Sequence, residues 1–417
     1  MLRLFDTLSG GKRPFKPLGG RKVGIYTCGP SVYSYSHIGN FRTYLFEDVL
    51  VRYLIYKGYR IRRVMNITDV EDKAVQAARK SGQTLGRLER DKIRAFFRDY
   101  SVLGMLQPDV VAKASLHVPM MAGLIGRICR AGFCIEERDG VYFDVRRFPG
   151  YGRLRRLKSR RYMGKAANDD YSREGLWDFR LWKRWTRGDG KTGWDSPFGF
   201  GRPGWHIECS AMAMHYLGER FDIHCGGTDN IFPHHENEIA QSQAATGKMP
   251  ANFWLHAKHL TIGRRKMSKR TGNVLFVRDL LDIGAHPECI RYYLISKSYR
   301  KRLDFTLGMF EKKVCVCERT TKLLSKLRRL GSAGRRQAAG AGRDGGSKSG
   351  AELAMRLRMG FESAMDDDLD TGLALRRIFS IFKEIDASLH EKKLSPAGAR
   401  EIIRAMRRID SVLGLFV

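Results

Sequence analysis

An α/β protein with a parallel, doubly wound sheet, followed by a separate helical region, is predicted by three features of the 417-residue sequence. The segments RKVGIYTCGP (21–30) and YRIRRVMNITDVED (59–72) read as strands, the first closed at Gly29–Pro30 and the second running into a polar loop. Between them, from about His37 to Tyr56, Phe41, Leu45, Val49, Leu50 and Tyr53 recur at helical spacing, which makes this stretch the crossover of a parallel pair. From Phe310 the pattern turns helical and strongly basic.

The other elements follow in chain order. Residues 1–21 form a hairpin-like lead-in, with Leu2, Leu4 and Phe5 before a turn at Gly10–Gly11. Residues 73–110 are helical and charged, 117–134 an amphipathic helix, and 140–152 a strand ending in turns. The basic, Gly-punctuated stretch 153–200 has no clear periodicity and reads as an insertion. A helix over 204–219, a strand over 220–227 and a helix over 230–247 with Pro233 in its first turn restore the alternation. GSAGRRQAAGAGRDGGSKSG (331–350) has the composition of a flexible linker, and two further helices follow over 351–389 and 396–413. The resulting division is 1–112, first half of the core; 113–203, connective insertion; 204–262, second half of the core; 263–309, a loop and linking region; and 310–417, a helical domain.

Lys and Arg number 76 against 44 Asp and Glu, a formal charge of +32 that calls for a polyanionic partner. Nucleic acid is the first choice and an anionic membrane surface the second. With 43% hydrophobic residues, 22 Phe, 16 Tyr and 6 Trp, the chain is not mainly disordered. It has no run of about 18 apolar residues, and its start lacks the apolar stretch of a secretory signal. Eight cysteines in so long a chain do not make a disulfide framework, so reduced or metal-bound thiols in a reducing cytosol are expected.

Two distant motifs suit phosphate. In CGPSVYSYSHIGNFR (28–42), His37-Ile38-Gly39-Asn40 opens a helix, whose free N–H groups and positive partial charge attract phosphate. Gly39 allows close approach to the backbone, and His37 and Asn40, three apart, can offer donors to one side; the plainer alternative makes His37 a surface or capping residue. In TIGRRKMSKRTGN (261–273), Lys266 and Lys269 stand among Gly263, Ser268, Thr271 and Gly272. Two such ammonium groups can follow charge onto a departing pyrophosphate, or simply contact a nucleic-acid backbone.

Cys28, Cys209, His234 and Glu238 offer thiolate, imidazole and carboxylate, all zinc donors. His234 and Glu238 share a helix face at spacing four, but spacing alone does not join the set. His235–Glu238 is a rival pair and Cys225 a rival thiol. A metalloprotease HExxH is excluded, because Ile239 stands where its second histidine belongs.

HIGN and KMSKR resemble the HIGH and KMSKS signatures of class I aminoacyl-tRNA synthetases. YTCGPSVYSYSHIGN, MNITDVEDK, PGWHIECSAMA, DIHCGGTDNIFPHHENEIAQS and RRKMSKRTGN resemble, in order, segments of the cysteinyl-tRNA synthetase family. MDDDLDTGLAL (365–375) is similar to part of its C-terminal helical domain. The resemblance implies a Rossmann-like class I catalytic core with an insertion, an all-α helical-bundle C-terminal domain, and ATP-dependent joining of L-cysteine to tRNA(Cys). It implies catalytic roles for His37, Asn40, Lys266 and Lys269, with Gly39 and Ser268 also at ATP. It further implies one Zn2+ on Cys28, Cys209, His234 and Glu238 that reads the substrate thiolate, and Mg2+ accompanying ATP. A site that only staples the core is the structural alternative for the metal. The cysteine pocket would comprise Cys28, Gly29, Thr68, Trp205 and Asp229, with His206 and Thr228 beside it.

By the same resemblance, basic residues such as Lys312, Lys322, Arg328, Arg376 and Arg404 bind the anticodon side of tRNA; a cytoplasmic monomer without membrane contact is expected. The chain departs from the family at Asn40, which cannot carry charge, and at Arg270, which adds a cation. It also ends soon after the helical region, without the small extra domain of longer members. Two rival functions are a ligase that passes cysteine from its adenylate to a small amine acceptor, and a catalytically silent RNA-binding paralogue.

Overall fold

The lead-in is an antiparallel hairpin of β1 (Arg3–Asp6) and β2 (Gly11–Pro14), turning at Gly10 (φ +70°). Buried Asp6 accepts from the backbone N–H groups of Leu8, Ser9 and Trp254, so one carboxylate closes the turn and docks the hairpin. The computed structural model describes residues 1–416 apart from 71, 81, 83, 158–177, 268–271 and 334–344.

The expected strand–helix–strand unit is β3 (Lys22–Thr27), α1 (Ile38–Tyr56) and β4 (Arg60–Ile67). It continues through α2 (Asp72–Lys80) and α3 (Leu85–Val102) to β5 (Val110–Lys113). After α4 (Val118–Arg130), the stretch without readable periodicity contributes to an antiparallel sheet ordered β6 (Cys134–Glu137), β7 (Gly140–Phe143), β8 (Phe179–Arg184) and β9 (Gly201–Pro203). The core resumes with α5 (Trp205–Leu217), β10 (Phe221–Gly227), α6 (Glu236–Thr246) and β11 (Ala251–Ala257). The central sheet runs β11-β10-β3-β4-β5 with every pairing parallel. Chain order therefore reverses between β3 and β10, and α/β folds bind ligands in the crevice that such a reversal opens.

Alternation along β3 feeds two cores. Val23 and Ile25 face α1 with Leu45 and Val49, while Tyr26 faces α4, α5 and the insertion with Ile125 and Ile207. The first core runs on without a break into the C-terminal helices, which explains why α1 is buried on nearly all sides.

Beyond the sheet, β12 (Leu260–Ile262) pairs with β13 (Arg265–Lys266). After α7 (Val277–Asp282) and α8 (Pro287–Ile295), β14 (Leu303–Phe305) joins β12 in parallel. The bundle comprises α9 (Leu307–Ala333), α10 (Gly345–Met365), α11 (Thr371–His390) and α12 (Pro396–Leu413).

Four expectations need correction. The helix expected over 230–247 begins only at Glu236; Ile231–His235 forms a wider turn containing Pro233, with Phe232 in extended conformation. The helix expected over 351–389 breaks after Met365, because Asp368 and Leu369 take positive φ and Asp370 caps α11 through the Leu373 N–H. Asp368 is turned to the lead-in, where it accepts from the Phe5 N–H and the Tyr299 hydroxyl. The linker read over 331–350 is helical at both ends, and its centre lies outside the described residues. Not every thiol is free: Cys129 and Cys134 form a disulfide across the reversal at Gly132 (φ +84°), leaving six free cysteines.

A buried ionic hub ties α1 to the bundle. Asp48, fully buried, accepts from Arg291 at 2.6 Å, from Arg52 at 2.8 Å and from the Leu106 N–H. Arg291 also donates to the Leu413 and Leu103 carbonyls, and Arg52 to those of Ser411 and Gly104. Removing the acid would strand the Arg291 guanidinium, so Asp48→Ala is expected to cost about 3–5 kcal/mol of stability. A denaturant midpoint unchanged from that of the unaltered chain would show that the hub contributes nothing.

Candidate active site

A cavity of about 690 Å3 opens at the carboxyl ends of β3 and β10. The turn after β3 requires glycine: a Cβ on Gly29 would sit 1.7 Å from the Asn66 carbonyl oxygen. Asn66 fixes the same turn by accepting from the Gly29 N–H at 2.8 Å and donating to the Thr68 hydroxyl at 3.1 Å. Cys28, Gly29, Thr68, Trp205 and Asp229, the five residues expected around cysteine, all line the cavity. His37, Asn40, Lys266, Cys209 and His234 line it too.

The two phosphate motifs meet here. His37 and Asn40 cap α1 reciprocally: His37 Nδ1 accepts from the Asn40 N–H at 3.2 Å, and Asn40 Oδ1 accepts from the His37 N–H at 3.0 Å. The plainer capping role of His37 is therefore realised, and it does not remove the residue from the cavity. Gly39 is packed closely, since a Cβ there would lie 3.1 Å from Met267 Cε and 2.9 Å from His37 Nδ1. Lys266 reaches Asp229 at 3.4 Å, with His259 Nδ1 4.0 Å from the same carboxylate. Ser268, Lys269 and Arg270 lie outside the described residues.

One ligand atom each from Cys28, Cys209, His234 and Glu238 lies within 4.8 Å of the others. Cys28 directly follows β3, Cys209 faces inward from α5, His234 comes from the turn Ile231–His235 and Glu238 from the first turn of α6, so only the sheet order unites them. The rival His235 also converges, in a second set with Cys28, His224 and Glu238. The rival Cys225 belongs to neither; it is buried where Glu47 raises its thiol pKa further.

Sequence reasoning named His235 as a rival ligand and His206 beside the pocket, but missed His224 and His256 and the way the rings join beneath the ligands. His224 Nε2 lies 2.8 Å from Glu238 Oε2, and His235 Nε2 3.3 Å from Cys28 Sγ. His235 Nδ1 meets His256 Nε2 at 2.8 Å, and His256 Nδ1 meets the Thr7 hydroxyl at 2.7 Å. His206 Nδ1 lies 2.9 Å from His234 Nδ1, and the Trp205 indole stacks on His234 with centroids 4.5 Å apart. These rings come from separate elements at no diagnostic spacing. The histidine-rich text DIHCGGTDNIFPHHENE hinted at His224, and no signal marked His256.

Charge balance suits a cation. Burial holds His206 and His235 well below the usual imidazole range and His256 down to about 3, so these rings are neutral. The Cys28–Cys209 hydrogen bond lowers Cys209 to about 6 and raises Cys28, so the pair shares one proton near neutrality. Glu238 Oε1 is buried, accepts no hydrogen bond among the described residues and lies 3.1 Å from His234 Nε2. A thiolate, a carboxylate with an unused lone pair and neutral imidazoles fit a divalent metal. Its uptake at about pH 7.5 is expected to release about one thiol proton, that of Cys28, rising toward two below about pH 6 where Cys209 also holds its own. A pH indicator in weak buffer reads this directly, and release of two protons at the higher pH would contradict the shared-proton arrangement.

Known proteins place this geometry. The model of the class I (C) tRNA synthetase catalytic domain matches residues 14–314, and that of the DALR domain residues 360–417. The chain is 39% identical over 419 residues to the cysteine–tRNA ligase of Brachyspira hyodysenteriae, covering 99% of this chain and 86% of that protein. It is 38% identical over 418 residues to that of Koribacter versatilis, covering 99% and 82%. Among solved structures, methionyl-tRNA synthetase of Mycobacterium tuberculosis in complex with methionyl-adenylate superposes with a TM-score of 0.70 at 14% identity, over 94% of this chain and 90% of that one. At that identity the likeness speaks for the fold alone. Among the described residues no helix is long and apolar enough to cross a membrane. The catalytic-domain match and the near full-length relatives establish that the chain belongs to the cysteine–tRNA ligase family of class I aminoacyl-tRNA synthetases.

Proposed function

We propose that the chain activates L-cysteine with ATP and transfers it to the 3′ end of tRNA(Cys), using zinc to recognise the amino acid by its sulfur. The observation that carries this reading is the convergence of Cys28, Cys209, His234 and Glu238, the first three of which line the cavity that also holds His37, Asn40 and Lys266. Bound to these four residues, zinc would supply a thiolate-preferring Lewis acid, for which a serine hydroxyl is a poor partner.

The cysteine carboxylate attacks the α-phosphorus of ATP, giving cysteinyl-adenylate and pyrophosphate. A terminal ribose hydroxyl of tRNA then attacks the adenylate carbonyl and releases AMP. The protein's task is positioning and charge stabilisation. The first turn of α1, with His37 and Asn40, faces the ATP phosphates, and Gly39 leaves the backbone low beneath the nucleotide. Lys266 meets charge on the leaving pyrophosphate, and the family likeness gives Lys269 and Ser268 of the same sequence motif a share in that role. Magnesium would accompany ATP through phosphate oxygens and water. Asp229, exposed and paired only loosely with Lys266, is suited to take the substrate ammonium, releasing the lysine as it does so. Trp205 walls the pocket beside His234.

The basic face of α9 and α12 is assigned to the anticodon side of tRNA. The DALR match, the surplus of cations and the relatives' names favour tRNA over a small amine as acceptor. A monomer is proposed as the working unit, and six free cysteines beside one disulfide suit a reducing cytoplasm.

An apolar pocket distinguishes near-isosteres by only about 1–3 kcal/mol. Cys209→Ser is therefore expected to lose most bound zinc and to reduce the preference for cysteine over serine by more than about 10²-fold. The measurement is charging of tRNA with the two amino acids side by side, alongside metal content. Full zinc with an undiminished preference would overturn the reading.

A further inference from the structure

Arg42 stands a little over one turn into α1 from its His37 cap, and only 2% of it is exposed. Its guanidinium makes no ion pair among the described residues; it gathers four backbone carbonyls instead. Nε donates to Lys258 at 3.1 Å, Nη1 to Leu294 at 2.7 Å, and Nη2 to Lys301 at 2.7 Å and Ser298 at 3.2 Å. Lys258 leads from β11 into β12, Leu294 lies in the last turn of α8, and Ser298 and Lys301 lead from α8 into β14. β12 and β14 are the paired strands from which β13, carrying Lys266, is hung: Thr261 of β12 pairs with Lys266. One side chain of the first signature helix thus holds the approach to both strands that support the second signature loop.

The chemistry of the contact is specific to arginine. Carbonyls at a helix C-terminus carry partial negative charge, which makes them natural partners for a cation. A planar fork with five N–H donors can meet four acceptors from three directions, whereas an ammonium has three donors on a single point. Two further ties join the motifs nearer the cavity: the Ile38 N–H donates to the Leu275 carbonyl at 2.9 Å, and Met267 Cε packs against Gly39.

We infer that Arg42 is a positioning residue for adenylate formation, keeping the His37–Asn40 end of α1 in register with the strand pair that presents Lys266. This rests on the reading of Lys266 as a cation at the leaving pyrophosphate. Arg42 contacts none of the four proposed zinc ligands, so the cysteine pocket should not feel its loss.

The test is a double-mutant cycle in the zinc-loaded full chain, read by cysteine-dependent exchange of pyrophosphate into ATP. Arg42→Lys is expected to lower kcat on the order of 10²-fold, the size of a misplacement of about 1 Å, with metal content and KM for cysteine unchanged. Lys266→Ala should cost on the order of 10²-fold in the unaltered chain but less than about tenfold in the Arg42→Lys background, because the lysine there is already out of place. Added guanidinium ion should partly restore Arg42→Ala. Penalties that multiply in full would overturn the inference while leaving the role of Lys266 intact. A silent Lys266→Ala would overturn the reading of the loop and this inference with it. If neither Arg42 variant keeps its metal and a cooperative melt, Arg42 is a folding staple and the inference also fails.

Discussion

The parallel pairing of β3 with β10 is the constraint on which the site depends. It is where strand order reverses, and Ile25, Tyr26 and Thr27 register there against Ile223, His224 and Cys225. The Cys28 N–H continues the ladder to the Cys225 carbonyl at 3.4 Å, and the chain then turns away at Gly29. This pairing sets the first thiol beside the histidine-bearing turn that follows β10, although about 200 residues separate them in the sequence. A slip of one residue would send Tyr26 and Ile25 to the wrong cores and carry Cys28 away from its partners.

The electrostatics follow from burial. Among the described residues the Lys and Arg side chains lie mostly on the surface, while the floor of the cavity holds neutral imidazoles, one carboxylate and a shared thiol proton. A cation introduced there meets no competing lysine or arginine among the described ligand contacts. Lys266 stands at the rim, exposed and only loosely paired with Asp229. The division is physically reasonable: soft and neutral donors where sulfur must be read, hard cations where phosphate departs.

Much of this was legible from residues alone, and the omissions have physical causes. β3, α1 and β4 could be read because their apolar residues keep a clear period and their ends carry Gly29–Pro30 and His37. In the insertion β7 was legible as the strand over 140–152, but β8 was not, since it draws its order from pairing with β7 across a register shift, which leaves no local mark in a basic, Gly-punctuated stretch. The break between α10 and α11 was hidden because Asp368 and Leu369 adopt positive φ in response to Phe5, Tyr299 and Arg300, contacts more than 60 residues away in sequence. The four proposed zinc ligands could be united only by likeness to a family, since they come from three separate segments. The imidazoles of His224 and His256 stayed invisible for the same reason.

The claim at the centre of this account is that the amino acid is recognised by sulfur at a metal held by two cysteines of the chain. X-ray absorption at the zinc edge measures it directly, on the metal-loaded protein alone, with L-cysteine and with L-serine. The account predicts two sulfur neighbours for the free protein, three with cysteine and two with serine. An unchanged sulfur count with saturating cysteine would contradict it, leaving the metal as a staple of the core.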